Sequence, residues 1–143
     1  MIEIKNNQLI IDGFKISLND INIIHQVKNN LHLSNSIVEF AKDKDIKDVF
    51  KVIKNSKNNF MLINKAIVNL DNVAEVSVKY YQYAGISIYE CEKKHAELYV
   101  LRLLCKDGNT ETISFRTLEE VQKYYQELQN RLSELKTKET LSN

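Results

Sequence analysis

Apolar and polar positions alternate through the first eighteen residues and predict a β-meander. Ile2 and Ile4 alternate with polar neighbours, Asn6-Asn7 offers a turn, and Leu9 to Ile11 forms a second short apolar run. Asp12-Gly13 is the stronger turn signal, because both residue types accept positive φ. Phe14, Ile16 and Leu18 then alternate with Lys15 and Ser17, as in a strand with one buried face. Residues 19–35 admit two readings. Asp20 can cap a helix carrying Ile21, Ile24 and Leu31, or Ile21 to Val27 can form a strand turning at Asn29-Asn30. The strand is preferred, because Ile23 breaks helical phase and β-branched residues dominate. Ile37 to Ala41 reads as a further short strand.

Two stretches switch to helical spacing. Ile46, Val49, Phe50 and Ile53 predict a middle helix at about 43–55, with Asp43 and Asp45 in its first turn and lysines toward its end. Asn55 to Asn59 then stops it. Strand patterns return from Phe60, through Val73, Val76, Val78 and the tyrosine-rich Lys79 to Tyr83, until Gly85 breaks the chain before Ile86 to Tyr89. Lys106-Asp107-Gly108-Asn109 is a strong hairpin signal between Leu98–Cys105 and Thr110–Phe115. Leu98 to Leu104 is apolar at nearly every position, which predicts a central strand covered on both faces. Thr117-Leu118-Glu119-Glu120 is a capping box. It opens a helix at about 117–136, whose seam is Leu118, Val121, Tyr125, Leu128, Leu132 and Leu135. The fold class is therefore α+β, mostly antiparallel sheet with these two helices. One compact domain over 1–136 is expected, divisible into halves at 1–57 and 60–136, with 137–143 a frayed tail. Leu18-Asn19-Asp20-Ile21 echoes Leu70-Asp71-Asn72-Val73, but so short a match in a chain rich in Asn and Ile does not establish a repeat.

Residues 60–135 resemble the small bacterial pleckstrin-homology-like modules. The likeness rests on Val68 to Val73, on Lys106-Asp107-Gly108, and on Ile113-Ser114-Phe115 running into the capping box. It implies a binding or assembly scaffold and carries over no functional residue.

Composition narrows the partners. The 143 residues carry a net charge of +1, so no global field selects nucleic acid or an anionic membrane. No apolar run is long enough for a membrane helix, and the N-terminus lacks the pattern of a signal peptide. Two cysteines make no disulfide scaffold, and a cytoplasmic location is expected. Lysine outnumbers arginine 17 to 3, and Asn and Ile each occur 16 times. That is an A/T-rich codon signature, pointing to a low-G+C bacterium or its phage and to an inhibitor or adaptor of a host complex.

No catalytic motif is present, and neither a cofactor nor a metal is expected. Cys91, His95 and Cys105 are the only thiols and imidazole close in sequence, and their spacing lacks the paired cysteines of a zinc site. Three surfaces remain as binding candidates. Lys44, Lys47, Lys51 and Lys54 form a stripe on the middle helix, suited to phosphates or an acidic protein, although a solvated face is the plainer reading. Tyr80, Tyr81 and Tyr83 offer an aromatic contact, with Tyr80 and Tyr81 on opposite faces of any strand. Leu128, Leu132 and Leu135 lie where the last helix would outrun a sheet of ordinary length, and homodimerisation is expected there. The leading expectation is a non-enzymatic protein-binding or assembly module, with nucleic-acid binding through the lysines as the alternative.

Overall fold

The opening alternation folds into a three-stranded antiparallel meander in a computed structural model, which describes residues 1–33, 36–39 and 44–142. Strands β1 (Ile2–Lys5), β2 (Gln8–Ile11) and β3 (Phe14–Ser17) lie in that order. Asn6 and Asn7 both take positive φ at the first turn, and Asp12 and Gly13 do so at the second. Paired positive φ values match the twist of the flanking strands.

A five-stranded antiparallel sheet follows, built from β4 (Ile23–Val27), β5 (Asn30–Leu33), β6 (Ser36–Glu39), β7 (Phe60–Ile63) and β8 (Ala66–Asn69). Its order is β6-β5-β4-β8-β7. Residues 19–35 thus take the preferred strand form, after a single 3-10 turn at Leu18–Asp20. Val27 pairs with Asn30, so the turn residues are Lys28 and Asn29 rather than Asn29 and Asn30. The strand expected over Ile37 to Ala41 is Ser36–Glu39, and positions 40–41 lie outside the described residues. The middle helix, α1, is Ile46–Ile53, shorter than the expected 43–55. Asp45 caps it: its carboxylate accepts the Lys47 N–H at 2.6 Å, while the Asp45 N–H donates to Asp48 at 2.9 Å. Asp43 lies outside the described residues. Ile46, Val49 and Ile53 pack with Leu9, Ile11, Ile24, Leu31, Leu33 and Ile67 into one core.

Chain contacts divide the protein into two compact units, Met1–Val73 and Ala74–Asn143. The division falls after Val73, not at the 57–60 boundary of the expected halves. The reason is strand pairing: β8 hydrogen-bonds to β4, with Ile23 opposite Val68 and Ile24 opposite Ile67. The β7–β8 hairpin therefore completes the first unit's sheet.

The second unit holds a four-stranded sheet in the order β10-β9-β11-β12, comprising β9 (Val73–Ala84), β10 (Ser87–Glu90), β11 (Leu98–Cys105) and β12 (Thr110–Phe115). In β11, Leu101, Leu103 and Cys105 are buried while Arg102 and Leu104 are exposed. Along this stretch only one face is covered, contrary to the two-faced burial expected of an apolar run. Helix α2 (Leu118–Ser142) starts at the predicted cap with half of the expected box: the Glu120 N–H donates to Thr117 Oγ1 at 3.3 Å, and the Glu120 carboxylate accepts the Thr117 hydroxyl at 3.0 Å in place of the reciprocal backbone bond. The helix continues through the segment expected to fray.

The short sequence echo extends through a whole structural segment. β2, β3 and the 3-10 turn at 18–20 recur as β7, β8 and a 3-10 turn at 70–72, each element 52 positions on. Details recur at the same spacing. The Leu18 N–H donates to Asn7 O at 3.0 Å and the Leu70 N–H to Asn59 O at 2.7 Å. Asp12 and Asn64 both take positive φ in the hairpin turns. Leu9, Ile11, Leu18, Ile21 and Ile24 are buried, as are Met61, Ile63, Leu70, Val73 and Val76. The two turns dock on each other inside the first unit. Fully buried Asn69 donates from Nδ2 to Leu18 O at 3.3 Å and Ile21 O at 3.0 Å, and Asn72 Nδ2 donates to Asn19 O at 2.9 Å and Ile21 O at 3.0 Å.

Candidate protein-interaction surface

The β9–β10 hairpin gathers Tyr83, Ile86, Ile88 and Tyr89, with Leu104 of β11 the other large apolar side chain exposed among the described residues of the second unit. Its two-residue turn is Gly85-Ile86, with Gly85 at φ +64°, the geometry of a type II′ turn that favours glycine first. Tyr83 pairs with Ile88, Tyr81 with Glu90, Gln82 with Tyr89 and Ala84 with Ser87. Tyr81, Tyr83 and Ile88 therefore share one face, and Tyr80 and Tyr89 lie on the other. Tyr83 is 49% exposed, Ile88 50% and Tyr89 46%, and Ile86 at the tip is fully exposed.

The hairpin is anchored at its base. The Cys91 N–H donates to Tyr80 O at 2.9 Å, and the Glu97 N–H to Tyr81 O at 2.8 Å. Lys79 and Glu90 pair across the strands at 3.3 Å. Tyr80 meets Tyr99 of β11 edge-to-face, with ring centroids 6.0 Å apart. That contact gives Tyr80 a packing role, while Tyr83 remains available. The expectation that Tyr80 and Tyr81 point to opposite faces holds. Ile86, Ile88 and Tyr89 were not among the expected site residues. The signal for them was present: a Gly-centred turn between two β-rich runs folds the second run back beside the tyrosines.

The other candidates fare differently. Lys47, Lys51 and Lys54 are exposed along α1 and its C-cap, whereas Lys44 precedes the helix and is half-buried. The four lysines do not form one helical stripe, and Asp45 and Asp48 sit among them. Leu128 is 0% and Leu132 7% exposed, and Leu135 is half-buried. The chain itself covers Leu128 and Leu132, two of the three leucines expected to overhang, and Leu135 in part. Tyr124, rather than Tyr125, stacks on Phe115 of β12 at 5.5 Å.

Neither thiol is activated. Burial, followed by the charges of Asp107 and Glu111, pushes Cys105 up to about 11. Cys91 is also raised, by slight desolvation and then by Glu97, Glu90 and Glu92. Among the described residues no group of three or more His, Cys, Asp or Glu is placed to hold a metal ion. No helix among them is long and apolar enough to cross a membrane. No family model, curated protein or solved structure matches the chain.

Proposed function

We propose that this chain is a non-enzymatic protein-binding module and that the β9–β10 hairpin is its contact element. The observation that carries the reading is the pairing of Tyr83 with Ile88, both half exposed, beside the bare Ile86 at the tip. Aromatic and aliphatic side chains held on a rigid hairpin make contact area at low entropic cost, and tyrosine is enriched among interface hot spots. A stable core explains buried apolar residues but gives no reason to display four large ones on one projecting hairpin.

The test is affinity capture from lysate of the source cell, comparing the wild-type chain with Tyr83→Glu/Ile88→Glu. The reading predicts a retained protein that survives nuclease treatment and is lost with the variant. Retention abolished by nuclease, and by Lys47→Glu/Lys51→Glu, would replace it with the nucleic-acid alternative.

A further inference from the structure

Both sheets set one hairpin beside another, although the inner neighbour is the later strand of its hairpin in the first (β8) and the earlier in the second (β11). Read from the edge inward, the first sheet runs β6-β5-β4-β8-β7 and the second runs β10-β9-β11-β12. The strand that follows each 3-10 turn is β4 in one and β9 in the other, and each forms an antiparallel hairpin with the next strand. Superposing these hairpins in order places β5 on β10. Beyond β5 lies β6, antiparallel to it, with Val38 reaching the core and Ile37 left exposed. Among the described residues no strand lies beyond β10 in its sheet. The second hairpin is also the longer one, for its turn at Gly85 comes five residues beyond the point matching the Lys28 turn at the 52-residue spacing.

The open edge is well formed. A type II′ closure makes Ala84–Ser87 a hydrogen-bonded pair, and alternation then turns Ser87, Tyr89 and Cys91 inward. The Cys91 N–H bond to Tyr80 O fits that phase. Ile88 and Glu90 consequently aim their N–H and C=O groups outward. All four residues of β10 are exposed. Natural sheets blunt such edges with short strands, charged side chains, proline or a bulge, and β10 is short and ends in Glu90, which pairs with Lys79. Ser-Ile-Tyr-Glu contains neither lysine nor proline, and its four residues pair with Tyr81 to Ala84 in unbroken register.

We infer that β10 receives an extended segment of a partner protein as an added antiparallel strand, filling the place β6 takes in the first unit. This deepens the protein-binding reading and rests on it. The internal counterpart defines the occupant's chemistry: a short segment rich in β-branched residues, as in Ser36–Glu39. Apolar side chains on it would meet Tyr83 and Ile88 on one face and Tyr89 on the other. Main-chain hydrogen bonds would supply affinity, and those alternating side chains specificity.

Amide exchange by NMR on the full chain tests this, with a synthetic peptide of residues 33–41 as the probe strand. Free protein should show fast exchange at Ile88 and Glu90 and slow exchange at Tyr89 and Cys91. Peptide should slow Ile88 and Glu90 by about tenfold or more. Ile88→Pro, which removes one outward N–H at a position an edge strand tolerates, should abolish the effect while Ile88→Thr keeps it. Unchanged exchange at about 1 mM peptide, the weak end of specific binding, overturns the inference. Protection that grows with protein concentration in the absence of peptide overturns it too, because the occupant would then be a second copy. A captured protein that is lost with Tyr83→Glu/Ile88→Glu but retained by Glu90→Pro, which removes an outward N–H without touching either side chain, would leave the protein-binding reading standing and refute strand addition alone.

Discussion

Asn69 pins the first unit at the point where its two equivalent 3-10 turns meet, and removing its side chain measures what that junction contributes. The carboxamide is fully buried and donates to two carbonyls, Leu18 O and Ile21 O, while accepting from the Asp71 N–H at 3.2 Å. In Asn69→Ala the carbonyls keep other donors, since Ile21 N–H reaches Leu18 O and Asn72 reaches Ile21 O. The Asp71 N–H loses its side-chain acceptor. Three lost bonds at about 0.5–1.5 kcal/mol each, with part of the penalty for one orphaned donor, give a destabilisation of about 2–4 kcal/mol. Asn69→Asp should be worse at neutral pH, because a buried carboxylate would face two carbonyl oxygens. Burial raises the native pKa of that new acid above its unfolded value of about 3.9. The native state then holds the proton longer than the unfolded chain, so the variant recovers stability as pH falls through the raised value. Urea unfolding followed by far-UV circular dichroism reads the loss in the first unit. All seven tyrosines lie in the second, so tyrosine fluorescence follows that unit separately. A midpoint for Asn69→Ala within about 0.5 kcal/mol of wild type, or an Asn69→Asp variant whose deficit relative to wild type is no smaller at pH 4 than at pH 7, would refute the reasoning.

Three further outcomes follow from particular side chains. Leu128→Ala should destabilise the chain by about 2–5 kcal/mol, because Leu128 is buried; a shift in oligomeric state without loss of stability would contradict its placement. Burial, and then the charge of His32, holds His25 below its ordinary pKa. The unfolded chain therefore takes up that proton first, and stability should fall as pH drops below about 6.5. His25→Gln should flatten that slope in pH-dependent denaturation. A native-state thiol titration at pH 8 should find Cys105 essentially unreactive, since its thiolate is scarce below about 11 and its sulfur buried; denaturant should expose it.

Periodicity made the regular elements legible. Both helices and the strands flanked by Asp-Gly or by alternating residues appear where their patterns place them. The β7–β8 hairpin was hidden because Phe60 to Leu70 is apolar almost throughout, and its turn is carried by Asn64 at positive φ without a glycine. The internal repeat was hidden for a related reason. Few identities are shared, and the signal lies in which positions are buried and in the matching backbone bonds of Leu18 and Leu70. Tyr83 is exposed and Tyr80 packs on Tyr99, but the cross-strand partners of the tyrosines required the register. The burial of Leu128 and Leu132 was not legible, because comparing helix length with a sheet of ordinary length does not say what else packs on the seam.

Photo-crosslinking is the most direct test of the central claim. A benzoylphenylalanine at position 88 lies on the hairpin, and the same group at position 47 lies on the exposed face of α1. The account predicts that position 88 forms a discrete protein adduct in source-cell lysate, suppressed by excess unlabelled chain, and that position 47 forms none. Adducts from position 47 alone, or none competed from position 88, would contradict it.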